Sequence, residues 1–97
     1  MSVTRISEFQ AKHESIEELR SFLISIMDGI KFSQGCASVQ LYQNQDDRMK
    51  FTMIEVWDNS EAHQASVKNI SPEKLGEIRP LLASAPSGSY FVLVNQK

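Results

Sequence analysis

The run Phe51-Thr-Met-Ile-Glu-Val-Trp57 constrains the fold more than any other part of the chain. Its β-branched, aromatic and apolar residues read as a strand, and Asp58-Asn-Ser60 reads as the stop. Phe51, Met53 and Trp57 fall on one face, Ile54 and Val56 on the other, and Glu55 is the only charge. A strand that is apolar on both sides belongs mid-sheet with both faces covered. Asp58 and Glu61 stand three apart, as in a capping box, so a helix is expected directly behind it.

The remaining segments supply the covers. Val3 to Gln10 reads as a strand interrupted by Arg5, Ser7 and Glu8, some of whose polar side chains then point into a cavity or an interface rather than a dry core. Ser15 and Glu18 mark a second capping box, and Ile16, Leu19, Leu23, Ile26 and Ile30 recur at helical spacing behind it. Gly35 reads as the chain reversal. Cys36 to Gln43 alternates like an edge or half-wet strand, and the polar turn 44–48 joins it to the central strand as a hairpin. A short helix from about Ser60 to Lys68 turns Ala62, Ala65 or Ser66, and one side of His63, inward. Ser71-Pro72-Glu73 opens a third helix, with Leu75, Ile78, Leu81 and Leu82 inward and a break near Arg79 imposed by Pro80. Ser84–Ser89 reads as a flexible small-residue loop, and Tyr90–Val94 as a last strand apolar on both faces.

The order strand, helix, strand, strand, helix, helix, strand is that of a split βαβ, ferredoxin-like α+β domain spanning residues 1–97. The right-handed crossover rule puts the helices on one face of a four-stranded antiparallel sheet. The other face then exposes roughly 300–400 Å², which a monomer can carry. The loss of alternation in the third and fourth strands points further, to a homodimer packed sheet to sheet.

Composition narrows the function classes. A formal charge of −2 with no basic run argues against nucleic acid or an anionic membrane surface as partner. The first residues lack an apolar signal core and no stretch approaches a membrane span, so a cytoplasmic protein is expected. The single cysteine, Cys36, excludes an internal disulfide and a cysteine-based zinc site. With no basic neighbour in sequence to activate it, Cys36 reads as packing. His13, in a charged loop, reads as surface.

Gly35-Cys36, the hairpin, Glu55-Val-Trp57, Ser60-Glu-Ala62 and the final apolar strand together resemble the antibiotic biosynthesis monooxygenase family, a branch of the dimeric α/β-barrel superfamily. The most specific part is Glu-x-Trp-x-x-Ser-x-Ala, present as Glu55, Trp57, Ser60 and Ala62. Members include quinone-forming monooxygenases that use neither metal nor flavin, haem-degrading enzymes and a signal-molecule isomerase. The family pattern often has a histidine nine residues after the tryptophan, where this chain has Ser66. The asparagine, tryptophan and histidine of the haem-degrading branch correspond to Ser7, Ser66 and Gly76, which argues against haem degradation.

The resemblance implies oxidation of a small aromatic quinol or phenol by O2, with no cofactor and no metal. His63, a group that titrates near neutral pH, is the candidate base, and lies within about 60° of Ser66 around its helix. Glu55 is either a desolvated carboxylate with a raised pKa or one paired with a helix-start amide or an arginine, Arg5 or Arg79. Trp57 is a pocket wall or core filler, and Ser66, Ser7 and Arg5 complete a cavity expected on the helix-covered side of the sheet. Two other readings stand beside this one: a dimeric small-ligand-binding protein without turnover, and an isomerase of a small carbonyl compound using His63 with Glu55.

Overall fold

The structure, a computed structural model, describes residues 1–95. Strands β1 (Val3–Gln10), β2 (Cys36–Gln43), β3 (Lys50–Trp57) and β4 (Ser87–Phe91) form one antiparallel sheet in the order β2-β3-β1-β4. Helix α1 (Ile16–Lys31) links β1 to β2, and α2 (Ser60–Val67) and α3 (Pro72–Ile78) link β3 to β4. This is the expected split βαβ arrangement, with the 51–57 stretch in an interior strand and β2 at an edge.

Side chains alternate across the sheet, and the register decides what shares a face. Phe51, Met53, Glu55 and Trp57 are buried beneath the helices, whereas Thr52, Ile54 and Val56 are half-buried on the open side. Opposite them on β1, Phe9 pairs with Phe51, Ser7 with Met53, Arg5 with Glu55 and Val3 with Trp57. Leu19 and Leu23 of α1 close over Phe51, Met53 and Ala11 to make the core, with Ile78, Leu81 and Leu82 packed against it.

Local chemistry fixes the joints. Gly35 holds φ +88°, and a Cβ there would stand 2.8 Å from that of Ala62, so both its backbone angle and its close approach to α2 require glycine. Ser71 caps α3 by accepting from the Lys74 amide at 3.1 Å, with Pro72 in the first turn. Pro80 ends the helix as expected: α3 stops at Ile78, and Arg79–Leu81 is a 3-10 turn.

Four expectations need correction. The cap of α2 is Asn59, whose side chain accepts from the Ala62 amide at 2.8 Å, and Asp58 belongs to the preceding turn. Ser15 does precede α1, but it is buried and its hydroxyl makes no capping bond. Leu75 is 47% exposed instead of packed inward. The last strand lies earlier than its apolar run: Ser87–Phe91 pairs with Glu8–Thr4, and Val92, Leu93 and Val94 lie beyond it, exposed. The register explains the shift, because continuing past Phe91 would set those residues against Val3, Ser2 and Met1, where β1 runs out. Small side chains allow the earlier pairing, and at Gly88 the Arg5 guanidinium occupies the space a Cβ would need.

Candidate active site

The inward pairs of β1 and β3 grade from apolar to polar along the sheet, from Phe9–Phe51 through Ser7–Met53 to Arg5–Glu55. Over the polar pairs, the helices do not close completely. A cavity of about 280 Å³ lies between the sheet and the helices. Arg5, Ser7, Met53 and Glu55 form its floor, Phe22, Ile26 and Ile30 of α1 one wall, and His63, Ser66 and Val67 of α2 another. The loop after α2, α3 and the start of β4 complete it through Ile70, Leu75, Ile78 and Gly88. The exposure of Leu75 now has a place, since it stands at the rim of this opening.

The polar side chains form a connected set. Trp57 donates its indole N–H to Glu55 Oε1 at 2.9 Å. The imidazole of His63 meets Trp57 edge-on, with centroids 5.5 Å apart, and Tyr90 edge-on at 5.4 Å. His63 Nδ1 is hydrogen-bonded to the Tyr90 hydroxyl at 2.6 Å, which fixes the ring between the two aromatics. The Arg5 guanidinium lies over the Tyr90 ring, its carbon 4.9 Å from the centroid.

Burial governs the charge states. It raises the pKa of Glu55, against smaller opposing effects from the Trp57 hydrogen bond and the Arg5 charge. It lowers that of His63, and the Arg5 charge lowers it further. His63 is therefore held toward its neutral, proton-accepting form. Arg5 makes no ion pair among the described residues, although it is opposite Glu55 in register, and its Nε is buried without a hydrogen-bond partner.

Of the residues singled out in the sequence, Arg5, Ser7, Glu55, His63 and Ser66 line this one cavity. Trp57 does not. Its side chain is fully buried behind Glu55 and His63, so its position is that of core and support, not of a wall. Ser66 donates its hydroxyl to the His63 carbonyl at 2.8 Å, a bond within its own helix. Arg79 is not Glu55's partner; it belongs to the turn after α3. Tyr90 is the polar residue the sequence reading passed over. A tyrosine in an apolar run carries no signal until the register sets it against Arg5. Phe22 was missed as well, because the Leu19–Leu23 stripe accounts for the helix without it. Among the described residues, no group of three or more His, Cys, Asp or Glu is gathered as metal ligands would be. No helix among them is long and apolar enough to cross a membrane.

The family model for antibiotic biosynthesis monooxygenases matches residues 2–85. The chain belongs to the antibiotic biosynthesis monooxygenase family. Its backbone is similar to that of Rv0793 from Mycobacterium tuberculosis, with a TM-score of 0.83 at 19% identity, covering 99% of this chain and 98% of that one. It is similar to PA3566 from Pseudomonas aeruginosa, with a TM-score of 0.83 at 21% identity over 97% and 95% of the two chains. A mutant of SnoaB, a cofactor-independent oxygenase from Streptomyces nogalater, gives a TM-score of 0.80 at 17% identity over 98% and 95%. At these identities the likeness is one of fold. No curated protein matches the chain in sequence.

Proposed function

We propose that the chain is a cofactor-independent monooxygenase that oxidises a small aromatic quinol or phenol with O2 in the cavity under α1 and α2. The observation that carries this reading is the combination of a neutral-leaning imidazole and a cation with no ion pair among the described residues, inside an apolar enclosure. His63 accepts the substrate's hydroxyl proton; with Nδ1 engaged by Tyr90, Nε2 is the nitrogen left for it. The imidazolium so formed stays beside the phenolate, and Arg5 adds positive potential on the same floor. The electron-rich anion gives an electron to O2, and the radical pair combines at a ring carbon carrying hydrogen. One oxygen atom stays as the new carbonyl, and the other leaves as water with the two displaced hydrogens. The apolar walls from α1 keep bulk water from the anion. Membership of a family that includes a cofactor-independent oxygenase among its structural relatives supports the assignment.

The working unit in this reading is a homodimer through the open sheet face, where Ile6, Ile54, Val56 and Phe91 are gathered by the register. Oxygen-electrode screening across hydroquinones and naphthols, with no metal or flavin added, tests the reaction. Quinol-dependent uptake is expected. Saturable binding of the same compounds without uptake would instead favour a ligand-binding protein. Conversion of a small carbonyl compound without uptake would favour an isomerase using His63 and Glu55.

A further inference from the structure

We propose that the cavity takes an aromatic acid of one or two rings, its carboxylate seated on the Arg5 guanidinium and its hydroxyl directed to His63. This rests on the site assignment above and narrows its substrate class. Arg5 is a permanent cation on the floor of an apolar cavity, with no ion pair among the described residues and with a buried, unpartnered Nε. A buried charge is normally paired, and an uncompensated one is costly. Glu55 is the obvious counterion by register, yet its carboxylate accepts from the Trp57 indole, and burial pushes it toward the neutral form. A neutral phenol brings no charge to the binding step, so it cannot balance Arg5. A carboxylate is ionised throughout the neutral range, and its two oxygens match the guanidinium fork.

The guanidinium is also held in place. It lies over the Tyr90 ring on one side, and Gly88 leaves room for it on another, since a Cβ there would stand 2.7 Å from the guanidinium carbon. Tyr90 touches both Arg5 and His63, which ties the anion anchor on the floor to the base on the α2 wall. Size sets the rest of the class. At about 280 Å³ the cavity is at the lower limit of the roughly 300–1,000 Å³ that holds drug-sized ligands, which suits one or two rings and not three or four.

Calorimetric titration near neutral pH with 1-hydroxy-2-naphthoate, its methyl ester and 1-naphthol tests this. The acid should bind about 10–100-fold more tightly than the ester, the worth of a charge-assisted pair. Arg5→Met should bring acid and ester together while the ester still binds, and Arg5→Lys should restore part of the difference. If Arg5→Met does not fold, Gly88→Ala serves instead, because its Cβ displaces a flexible side chain and should reduce the preference with the circular dichroism unchanged. Equal affinity for acid and ester in the unmodified protein, or a preference that survives loss or displacement of the guanidinium, would overturn the proposal. Acid preference without oxygen uptake would remove the oxidation and keep the anchor. Uptake with neutral naphthols and no acid preference would do the reverse.

Discussion

Two halves of one sheet face, built from the same strands and covered by the same long helix, have opposite characters. At one end Phe51 and Met53 pack under Leu19, Leu23 and Ala11 with no accessible surface to speak of. Towards the other end, Arg5, Ser7, Glu55 and His63 border open space, with Trp57 and Tyr90 in contact with them from behind. The cover decides the difference. Over the dry half α1 contributes its leucine stripe, and the turn at Arg79–Leu81 adds Leu81 and Leu82. Over the polar half α1 gives only a side wall, Phe22, Ile26 and Ile30, and the rest of the cover is α2, eight residues long with no buried residue, which does not fill the space above β1. The lesson is that stability and chemistry are separable here, because a single stretch of strand serves both by changing one inward side chain at a time.

Three substitutions sharpen that separation, taken from the largest expected effect to the smallest. Leu23→Ala opens a void in the dry half and should cost about 2–5 kcal/mol in denaturant unfolding, with turnover per folded molecule unchanged. An equal loss of turnover per folded molecule would mean that the halves are not independent. In the turn between α1 and β2, packed against α2, Gly35→Ala meets both a positive φ and the Ala62 side chain, and should cost about 1–3 kcal/mol. In the polar half, Glu55→Gln should show its effect through pH. The folded-state pKa of Glu55 is raised above its ordinary 4.5, so the native protein holds this proton more tightly than the unfolded chain. Stability from this group is present below pH 4.5 and is lost as pH rises through the folded value. Gln, which keeps an acceptor for the Trp57 indole, should remove that loss, so the difference in unfolding free energy opens in its favour above pH 4.5. A difference independent of pH would contradict the raised pKa.

The proposed homodimer supplies a separate check on the opposite face. Ile54→Asp points a charge outward from the middle of the sheet. In a dimer it should halve the mass seen by sedimentation, from about twice 11.0 kDa to 11.0 kDa. A monomer before substitution would remove the sheet-to-sheet interface.

Much of this was legible in the chain itself, for physical reasons that can be named. Strand β1 was read from Val3 to Gln10 even with Arg5, Ser7 and Glu8 in it, because Arg5 and Ser7 at alternate positions still fit a strand that borders a cavity, and Glu8 falls on the opposite face. The break at Pro80 and the cap at Ser71 follow from the covalent geometry of proline and the reach of one hydroxyl. What stayed hidden depends on pairing. Apolarity alone located the last strand at Tyr90–Val94, but the chain pairs where β1 offers backbone, at Thr4–Glu8. The Tyr90–His63 bond spans 27 residues in sequence, and no local spacing encodes it. Trp57 was grouped with the cavity by proximity along the chain, whereas its side chain lies fully buried behind Glu55 and His63.

The central claim is that His63 is the base in an oxidation carried out in this cavity, and the pH dependence of its rate tests that most directly. Burial and the Arg5 charge both lower the His63 pKa below its ordinary 6.5. The value of kcat/KM for quinol-dependent oxygen uptake should rise with pH through a value below 6.5 and then level off as the imidazole becomes neutral. His63→Ala should remove that limb and lower the plateau by about 10²–10⁴-fold. An unchanged limb and full rate in His63→Ala would contradict the account.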